Sequence, residues 1–291
     1  MYICILITIK KVLFMKYIII SILFLISVPY LFSFGGGNGS EFSPFEIHTK
    51  AHLELLADSV NNSASYPTDN WSKDKYFKVM NNITEPVTTF IGTASRPFQG
   101  NFDGQNYTIT LAIDMPAEYY VGLFGYMRSA TIKNVIVNGY VNGSDRVGGI
   151  AGYASGSSIS NCINTGSVSG NNTVGGIAGC GYNASISNCM NIGNISGDDY
   201  VGGIAGEFYT SISNCMNIGN ISGKGHVGGI NGSSPLLSIT TNCVNYGFVK
   251  GIHTGVGGIN GHNYDTIENC INTGIVEGED ARVTGAIQGA P

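Results

Sequence analysis

The hexapeptide Val147-Gly-Gly-Ile-Ala-Gly152 returns along the chain at a nearly constant interval. Its copies are VGLFG at 121–125, VGGIAG at 174–179 and 201–206, VGGING at 227–232 and 256–261, and a degraded VTGAIQG at 283–289. Self-similarity with a period of about 27 residues is typical of a solenoid, in which each unit stacks on the next.

A second block follows each copy of the motif. It reads IKNVIVNGYVNG at 132–143, ISNCINTGSVSG at 159–170, ISNCMNIGNISG at 186–197 and 212–223, ITTNCVNYGFVKG at 239–251 and IENCINTGIVEG at 267–278. Each unit thus has three short apolar stretches bounded by Gly, Asn or Ser, which predict strands and turns and are too short for helices. The sequence predicts an all-β, right-handed parallel β-helix with coils of about 27 residues.

Stacked coils place like residues in inward columns, and the stack buries a core that no single coil could bury. Three such columns are predicted: Ile150, Ile177, Ile204, Ile230 and Ile259; Val147, Val174, Val201, Val227 and Val256; and Val168, Ile195, Ile221, Val249 and Val276. The motif glycines are expected at tight corners where a Cβ would clash. The competing leucine-rich repeat requires a leucine skeleton that these units lack.

Composition supports the β-rich prediction. The chain has 42 Gly and only 11% charged residues, whereas helical proteins favour Ala, Leu, Glu and Lys. Residues 1–33 contain three Lys and no acid, so 11 basic and 19 acidic residues remain beyond them, a net charge of −8. This balance disfavours nucleic acid as a partner, and no basic cluster suits an anionic membrane surface.

The N-terminal residues 1–34 are expected to be a secretory signal peptide. Lys10, Lys11 and Lys16 precede an apolar run over 17–34, and Met15 is a possible true start. The run could instead remain as an uncleaved membrane anchor, which would be the chain's one membrane attachment. The expected location is therefore secreted or cell-surface.

Residues 35–120 are expected to hold an N-terminal cap and the first coils, and residues 121–291 the tandem repeats. Thr49 can N-cap a helix that runs to about Asn61, with Leu53, Leu56 and Val60 on one face. Such a helix could cover the open end of the core. The first strands are predicted around four apolar residues: Phe98, Phe102, Ile109 and Leu111.

At Val121-Gly-Leu-Phe-Gly125 the chain resembles the GLUG-motif proteins, which are named for a Gly-Leu-aromatic-Gly string. The resemblance extends from about Ser43 to the C-terminus and includes the lead-in segments GGGNGSEFSPFEI and FQGNFDGQNYTITL. It implies a bacterial surface or secreted protein. Some members are immunoglobulin-cleaving metalloproteases or adhesins in which this region is not the catalytic part, so the resemblance supplies no catalytic residue.

Two polar positions recur in the second block. Cys162, Cys189, Cys215, Cys243 and Cys270 share one position that Val135 occupies in the first unit. This exchange favours buried thiols, with disulfides and a metal site as the alternatives. Asn164, Asn191, Asn217, Asn245 and Asn272 share another position, which predicts a structural ladder of hydrogen-bonded amides.

The sequence offers no catalytic constellation, and neither a metal nor a cofactor is predicted. It has no H-E-x-x-H and no G-x-S-x-G, and His48 and His52 lack a third metal ligand. Asp145 and Asp199 hold equivalent positions, but Asn172 stands there in the coil between them, so a glycosidase pair is disfavoured.

Aromatic residues follow the motif in most units. Stacked coils would align them in one file along an edge of the solenoid: Tyr126, Tyr153, Tyr182, Tyr209 and Tyr264. Such rings either shield the core or bind glycans or partner proteins. The sequence thus predicts an exported, non-catalytic β-helix for surface display, adhesion or binding. The alternatives are a degenerate glycan-active enzyme and a fragment of a larger surface protease or adhesin.

Overall fold

Each repeat unit forms one turn of a parallel β-helix, and like residues of successive units lie side by side. Val147 is in register with Val174, and Val174 with Val201. The backbone N–H of Ile177 donates to the carbonyl of Ile204 at 2.9 Å. These pairings confirm the predicted all-β parallel β-helix with coils of about 27 residues.

The computed structural model describes residues 33–63, 68, 70–234, 238–253, 255–263 and 266–278. The chain divides into two units, Met1–Ser33 and Phe34–Pro291, and the elements below belong to the second. Residues 1–32 of the predicted signal peptide, Tyr264 and the degraded copy from Val283 lie outside the described residues. No helix within the described ranges is long and apolar enough to cross a membrane.

One complete coil shows how the chain turns. Its five strands are Asp145–Gly148, Ala151–Ser155, Ser158–Ser160, Ile163–Asn164 and Ser167–Ser169. The sequence predicted only three strands in each coil. Strands of two or three residues cannot be recognised in a sequence as separate apolar stretches. The strands of successive coils form four sheets, here called sheets 1 to 4, and the last two strands of the coil share sheet 4.

Sheets 1 and 2 contain the two halves of the V-G-G-I-A-G motif. The described strands of sheet 1 are Tyr119–Val121, Asp145–Gly148, Asn172–Gly175, Asp199–Gly202, Gly225–Gly228 and Val256–Gly257. Those of sheet 2 are Phe124–Arg128, Ala151–Ser155, Ala178–Tyr182, Ala205–Phe208, Asn231–Ser234 and Asn260–Asn263.

Sheets 3 and 4 contain the second block and extend into the lead-in. The described strands of sheet 3 are Phe45–Ile47, Tyr76–Val79, Asn101–Asp103, Thr131–Lys133, Ser158–Ser160, Ser185–Ser187, Ser211–Ser213, Ile239–Thr241 and Thr266–Glu268. Those of sheet 4 are Ile83–Val87, Thr108–Asp114, Ile136–Asn142, Ile163–Asn164, Ser167–Ser169, Met190–Asn191, Ile195–Ser196, Met216–Asn217, Ile221–Ser222, Val244–Asn245, Val249–Lys250, Ile271–Asn272 and Val276–Glu277.

The three predicted inward columns form the core. The isoleucine column is fully buried, the valine column is buried, and the third column is buried except for the half-buried Val276 at its end. Alternation along each strand sends the intervening side chains outward. A continuous apolar core is therefore built from units that could not be stable alone.

The motif glycines make room for neighbouring coils, as predicted. A Cβ on Gly148 would overlap the carbonyl oxygen of Ala151, and a Cβ on Gly176 would lie 2.5 Å from the Asn191 side chain. These glycines do not have positive φ angles. Left-handed backbone occurs instead at the residue before each cysteine position, which is Asn in every described coil, such as Asn161 and Asn188.

The asparagine column forms the predicted ladder. The Nδ2 of Asn164 donates to the Oδ1 of Asn191 at 2.8 Å, and Asn191 donates to Asn217 at the same distance. Asn217 continues the ladder to Asn245, which donates to Asn272. Each Nδ2 also donates to the glycine carbonyl two residues ahead, so both amide hydrogens are used.

The cysteine column consists of buried free thiols, which agrees with the favoured prediction. The backbone N–H of Cys189 donates to the Sγ of Cys215 at 3.4 Å, and the Cys189 thiol donates to the carbonyl of Ser187. A hydrogen bond to Cys215, together with burial, raises the pKa of Cys243 to about 12. The thiols therefore act as small core side chains with weak polar contacts.

Helix α1, Lys50–Asn61, begins as predicted at Thr49, whose Oγ1 accepts a hydrogen bond from the N–H of His52 at 3.3 Å. Its buried residues are Leu53, Leu56, Ala57 and Val60. At its other end, Asn61 donates to the Phe90 carbonyl at 3.0 Å and accepts from the Gly92 N–H at 2.8 Å. Burial of its apolar face and hydrogen bonds at both ends thus fix the position of the helix.

The first strands come earlier than predicted. Phe102, Ile109 and Leu111 do lie on strands, and Phe98 forms an isolated bridge to Met127. Three strands nevertheless precede them: Phe45–Ile47, Tyr76–Val79 and Ile83–Val87. The lead-in lacks the motif, so only the pairing of these segments in space reveals that they belong to the solenoid.

Candidate binding surface

A ridge of aromatic and titratable side chains follows the corner between sheets 1 and 2. One column of the ridge consists of the residues before the motif valines from Val121 to Val227: Tyr120, Arg146, Thr173, Tyr200 and His226. The other consists of the residues after each motif, in register across sheet 2: Tyr126, Tyr153, Cys180, Glu207, Ser233 and His262.

The last motif glycine brings the two columns together. A Cβ on Gly179 would lie 2.5 Å from the carbonyl carbon of Arg146 in the preceding coil, and Gly206 meets the backbone of Thr173 at the same distance. The corner residues before the valines have left-handed backbone, as at Arg146 with φ of 55°. The motif glycines therefore bring outward side chains of neighbouring coils together, in addition to making room inside the core.

The predicted single file of tyrosines is wrong, because it divides into two pairs. Tyr126 and Tyr153 are in register and their rings stack, with centroids 4.7 Å apart. The next residue in that column is Cys180, whereas Tyr182 is in register with Ser155. The offset of two residues places Tyr182 beside Tyr209, at a centroid distance of 6.0 Å. Tyr264 lies outside the described residues.

The first pair is largely enclosed. Tyr120 meets both rings edge-on, at 5.3 Å from Tyr126 and 5.8 Å from Tyr153, and the Arg146 guanidinium lies 5.4 Å from the Tyr120 centroid. Burial raises the pKa of Tyr126 and raises that of Tyr153 to about 12. Because the stacked rings cover each other's faces, this pair suits a shielding role.

The second pair is open to solvent. Tyr182 is 52% exposed and Tyr209 is 37% exposed, and their rings meet at 61°. The Tyr209 hydroxyl donates to the Oε1 of Glu207 at 2.9 Å. Burial and this hydrogen bond raise the pKa of Tyr209, so its phenol stays protonated. An accessible aromatic face thus lies next to an oriented carboxylate.

Cys180 lies between the two tyrosine pairs. Burial and the carboxylate of Glu207 raise the pKa of its thiol to about 12. Burial also opposes the charge on the nearby Arg146, but the Asp145 carboxylate, 3.3 Å away, raises the pKa of the guanidinium overall. A thiol that stays protonated is a poor nucleophile, so this site does not suit thiol chemistry.

A histidine-centred cluster continues the ridge. The Nδ1 of His226 lies 2.6 Å from the Oδ1 of Asp199, and its ring stacks on Tyr200 at 4.8 Å. The His262 ring meets the His226 ring edge-on, with centroids 4.8 Å apart. Burial and the proximity of His226 lower the pKa of His262. The sequence did not predict this cluster, although His226 shares the position before the motif valine with Tyr120 and Arg146.

Asp145 and Asp199 are separated in the structure as expected, because Asn172 is in register between them. Each pairs with a neighbour on the ridge, Asp145 with Arg146 and Asp199 with His226. At the lead-in, His48 contacts Glu46 at 3.2 Å, and its N–H donates to the Nδ1 of His52. The described residues hold no group of three or more His, Cys, Asp or Glu that could bind a metal.

The fold and the ridge define a class: the chain is a parallel β-helix repeat protein. Residues 143–169 match the sequence model of the GLUG motif. The match covers one coil, and the register of the other coils shows the same unit repeated.

Two known proteins are similar to this chain. Halomucin of Haloquadratum walsbyi is 31% identical over 39% of the chain, and the aligned part is 2% of Halomucin's own length. A crystal structure from Bacteroides ovatus, named a "putative immunoglobulin A1 protease", superposes with a TM-score of 0.71 over 89% of this chain and 84% of that one. At 23% identity, the second likeness concerns the fold alone.

Proposed function

We propose that the protein is an exported, non-catalytic β-helix, displayed on the cell surface or secreted, that binds glycans through the Tyr182–Tyr209 pair. The observation that carries this proposal is the exposed aromatic pair beside Glu207, which the Tyr209 hydroxyl holds by a hydrogen bond. Shielding of the core does not explain it, because half of Tyr182 faces solvent.

The ridge has the chemistry that sugar recognition needs. An aromatic ring offers a flat apolar face to the C–H groups of a pyranose, while neighbouring polar groups bind its hydroxyls. Glu207 and Asp199 lie on the same coil as Tyr209 and supply acceptors, and Lys224, which pairs with Asp198 at 2.8 Å just before the next coil, supplies a donor.

Export is supported by the basic and apolar order of the first 34 residues. The similarity to part of Halomucin agrees with a protein that works outside the cell.

The coils also expose few charges and many Ser, Asn and Thr side chains. This neutral polar surface is suited to contact with carbohydrate.

A glycan array probed with the full chain tests the proposal. We expect binding to a set of glycans, and we expect Tyr182→Ala/Tyr209→Ala to lower the affinity for the best of them at least tenfold. The matched control is Tyr107→Ala/Tyr140→Ala, which removes two tyrosines of similar exposure, 37% and 45%, away from the ridge.

Two results would reject the proposal: no glycan bound, or equal affinity for the two double variants. Circular dichroism of both variants checks that the fold is intact. A reducing-sugar assay on the bound glycans addresses catalysis, since release of new reducing ends would contradict the non-catalytic part.

A further inference from the structure

A pocket of about 310 Å³ lies where the lead-in meets the first copy of the motif, and the proposed glycan site does not use it. Its walls include three aromatic rings, two hydroxyls and one carboxylate, which belong to Phe90, Tyr119, Tyr120, Thr93, Ser95 and Glu118. Sites for small molecules have volumes of roughly 300–1,000 Å³. The pocket is therefore large enough for a small organic ligand.

The local backbone places two of these rings side by side. Tyr120 has left-handed backbone, with φ of 60°, which interrupts the usual alternation of side chains along a strand. Val121 is buried, whereas Tyr120 is half-buried and Tyr119 is 55% exposed. The centroids of the two tyrosine rings are 6.5 Å apart and their planes are inclined at 51°. The two rings thus form adjacent walls of the pocket.

Hydrogen bonds hold these walls in place. The carbonyl of Phe90 accepts a hydrogen bond from the end of helix α1 at 3.0 Å. Thr93 and Arg96 close a turn through two backbone hydrogen bonds of 2.9 Å and 3.1 Å, and the carbonyl of Glu118 accepts from the N–H of Ser144 at 2.8 Å. A pocket that is formed in advance costs little ordering entropy when a ligand binds.

The charge around the pocket favours a cation. Glu118 is the one charged residue among the described residues that line the pocket, and it makes no ion pair within the described part of the chain. Two neighbouring guanidinium groups are engaged elsewhere. Arg96 donates to a backbone carbonyl just after helix α1 at 2.8 Å, and Arg146 pairs with Asp145 at 3.3 Å. Arg146 also lies 5.4 Å from the centroid of Tyr120, so one ring of the pocket already attracts a cation in this structure.

The polar groups of the pocket select among cations. The hydroxyl of Thr93 lies 3.3 Å from that of Ser95 and accepts from the Arg96 N–H, so these hydroxyls are already in use. A primary ammonium brings three N–H donors that need acceptors, whereas a quaternary ammonium brings none. Aromatic faces attract a quaternary ammonium through the negative charge of their π-systems. The pocket therefore suits a fully methylated ammonium better than a primary one.

We propose that this pocket binds a quaternary ammonium group of the kind found in choline, with its methyl groups against the rings and Glu118 balancing its charge. Such a group occurs in small soluble molecules and in the headgroup of phosphatidylcholine. The site is separate from the proposed glycan site. Tyr182 and Tyr209 follow the third and fourth copies of the motif, whereas this pocket lies beside the first.

Titration calorimetry of the full chain with choline tests the proposal. The matched ligand is ethanolamine, which has a primary ammonium on the same skeleton, and we expect choline to bind about tenfold more tightly. Tyr119→Ala should weaken choline binding by about fivefold, and Glu118→Gln by about threefold. The matched control is Tyr246→Ala, which removes a tyrosine of similar exposure, 53%, away from the pocket and should leave choline binding unchanged.

Sedimentation with phosphatidylcholine vesicles distinguishes the two sources of the group. Vesicle binding that Tyr119→Ala abolishes assigns the lipid headgroup, and choline binding without vesicle binding assigns a soluble ligand. The proposal is overturned by no saturable binding of choline, by equal affinity for choline and ethanolamine, or by equal choline affinity of Tyr119→Ala and Tyr246→Ala. Circular dichroism of the variants checks the fold. Tyr182→Ala/Tyr209→Ala should bind choline as the unmodified chain does, which separates this site from the glycan site.

Discussion

At the scale of single residues, the two repeated blocks depend on each other. The second motif glycine of each coil lies against the asparagine ladder, as Gly176 does against Asn191 and Gly203 against Asn217. A side chain at either glycine would displace the asparagine amide, which makes hydrogen bonds to the asparagines of the neighbouring coils. The motif glycines and the asparagines are thus two halves of one packing arrangement.

Breaking the ladder should be costly. Asn191→Leu removes the acceptor of Asn164 and the donor of Asn217, leaving buried polar groups without partners. At about 1–3 kcal/mol for each unsatisfied group, we expect the free energy of unfolding to fall by about 2–5 kcal/mol. Urea unfolding measures this loss. Asn171→Leu, an exposed asparagine of the same coil, should change it by less than about 0.5 kcal/mol.

The thiol column predicts a loss of stability at high pH. In the folded protein the pKa of Cys243 is raised from 9.0 to about 12, and those of Cys189 and Cys215 are raised as well. The unfolded state therefore releases protons first, so stability is complete below pH 9 and falls as the pH rises toward 12.

Urea unfolding at a series of pH values between 8 and about 11.5 measures this slope. Partly buried tyrosines such as Tyr153, whose pKa is raised to about 12, titrate in the same range and add to the slope. The matched comparison is Cys243→Val, which copies Val135 of the first repeat and should flatten the slope. An unchanged slope in that variant would show that the column does not cause the effect.

At the scale of elements, helix α1 is held by local rules that act before tertiary packing. Thr49 caps its first turn, and Leu53, Leu56 and Val60 recur at helical spacing. These signals are local, which is why the sequence predicted both ends of the helix. The neighbouring strands carry no such signal, and their pairing could not be predicted.

The cap itself makes a separate prediction. Thr49→Ala removes the acceptor for the His52 N–H and should lower stability by about 1 kcal/mol. Thr49→Ser keeps the hydroxyl and should cost a few tenths at most. Thermal unfolding of the two variants compares them, and equal losses would contradict a capping role for the hydroxyl.

At the scale of the whole molecule, each coil contacts mainly its two neighbours, so the coils are interchangeable in principle. Deleting 172–198 removes one coil and brings Asn171 next to Asp199, which keeps the register of all four sheets. We expect a folded protein with the same circular dichroism per residue and a modestly lower melting temperature.

A deletion out of phase supplies the contrast. Removing 172–185 takes out about half a coil, so inward and outward side chains no longer match those of the neighbouring coils. We expect loss of cooperative unfolding. If both deletions folded equally well, stability would not depend on the register of the columns.

The sequence alone determined the period, the sheet-forming units, the buried columns and the helix of the lead-in, because each depends on spacing between nearby or repeated letters. The tertiary structure decided what depends on register across the corner of sheets 1 and 2. An offset of two residues separated Tyr182 from Tyr153 and joined it to Tyr209, and left-handed corners brought His226 beside Asp199 and His262. Side chains on a strand alternate and coils stack in steps of about 4.8 Å, so a shift too small to disturb the repeat is enough to rearrange its surface.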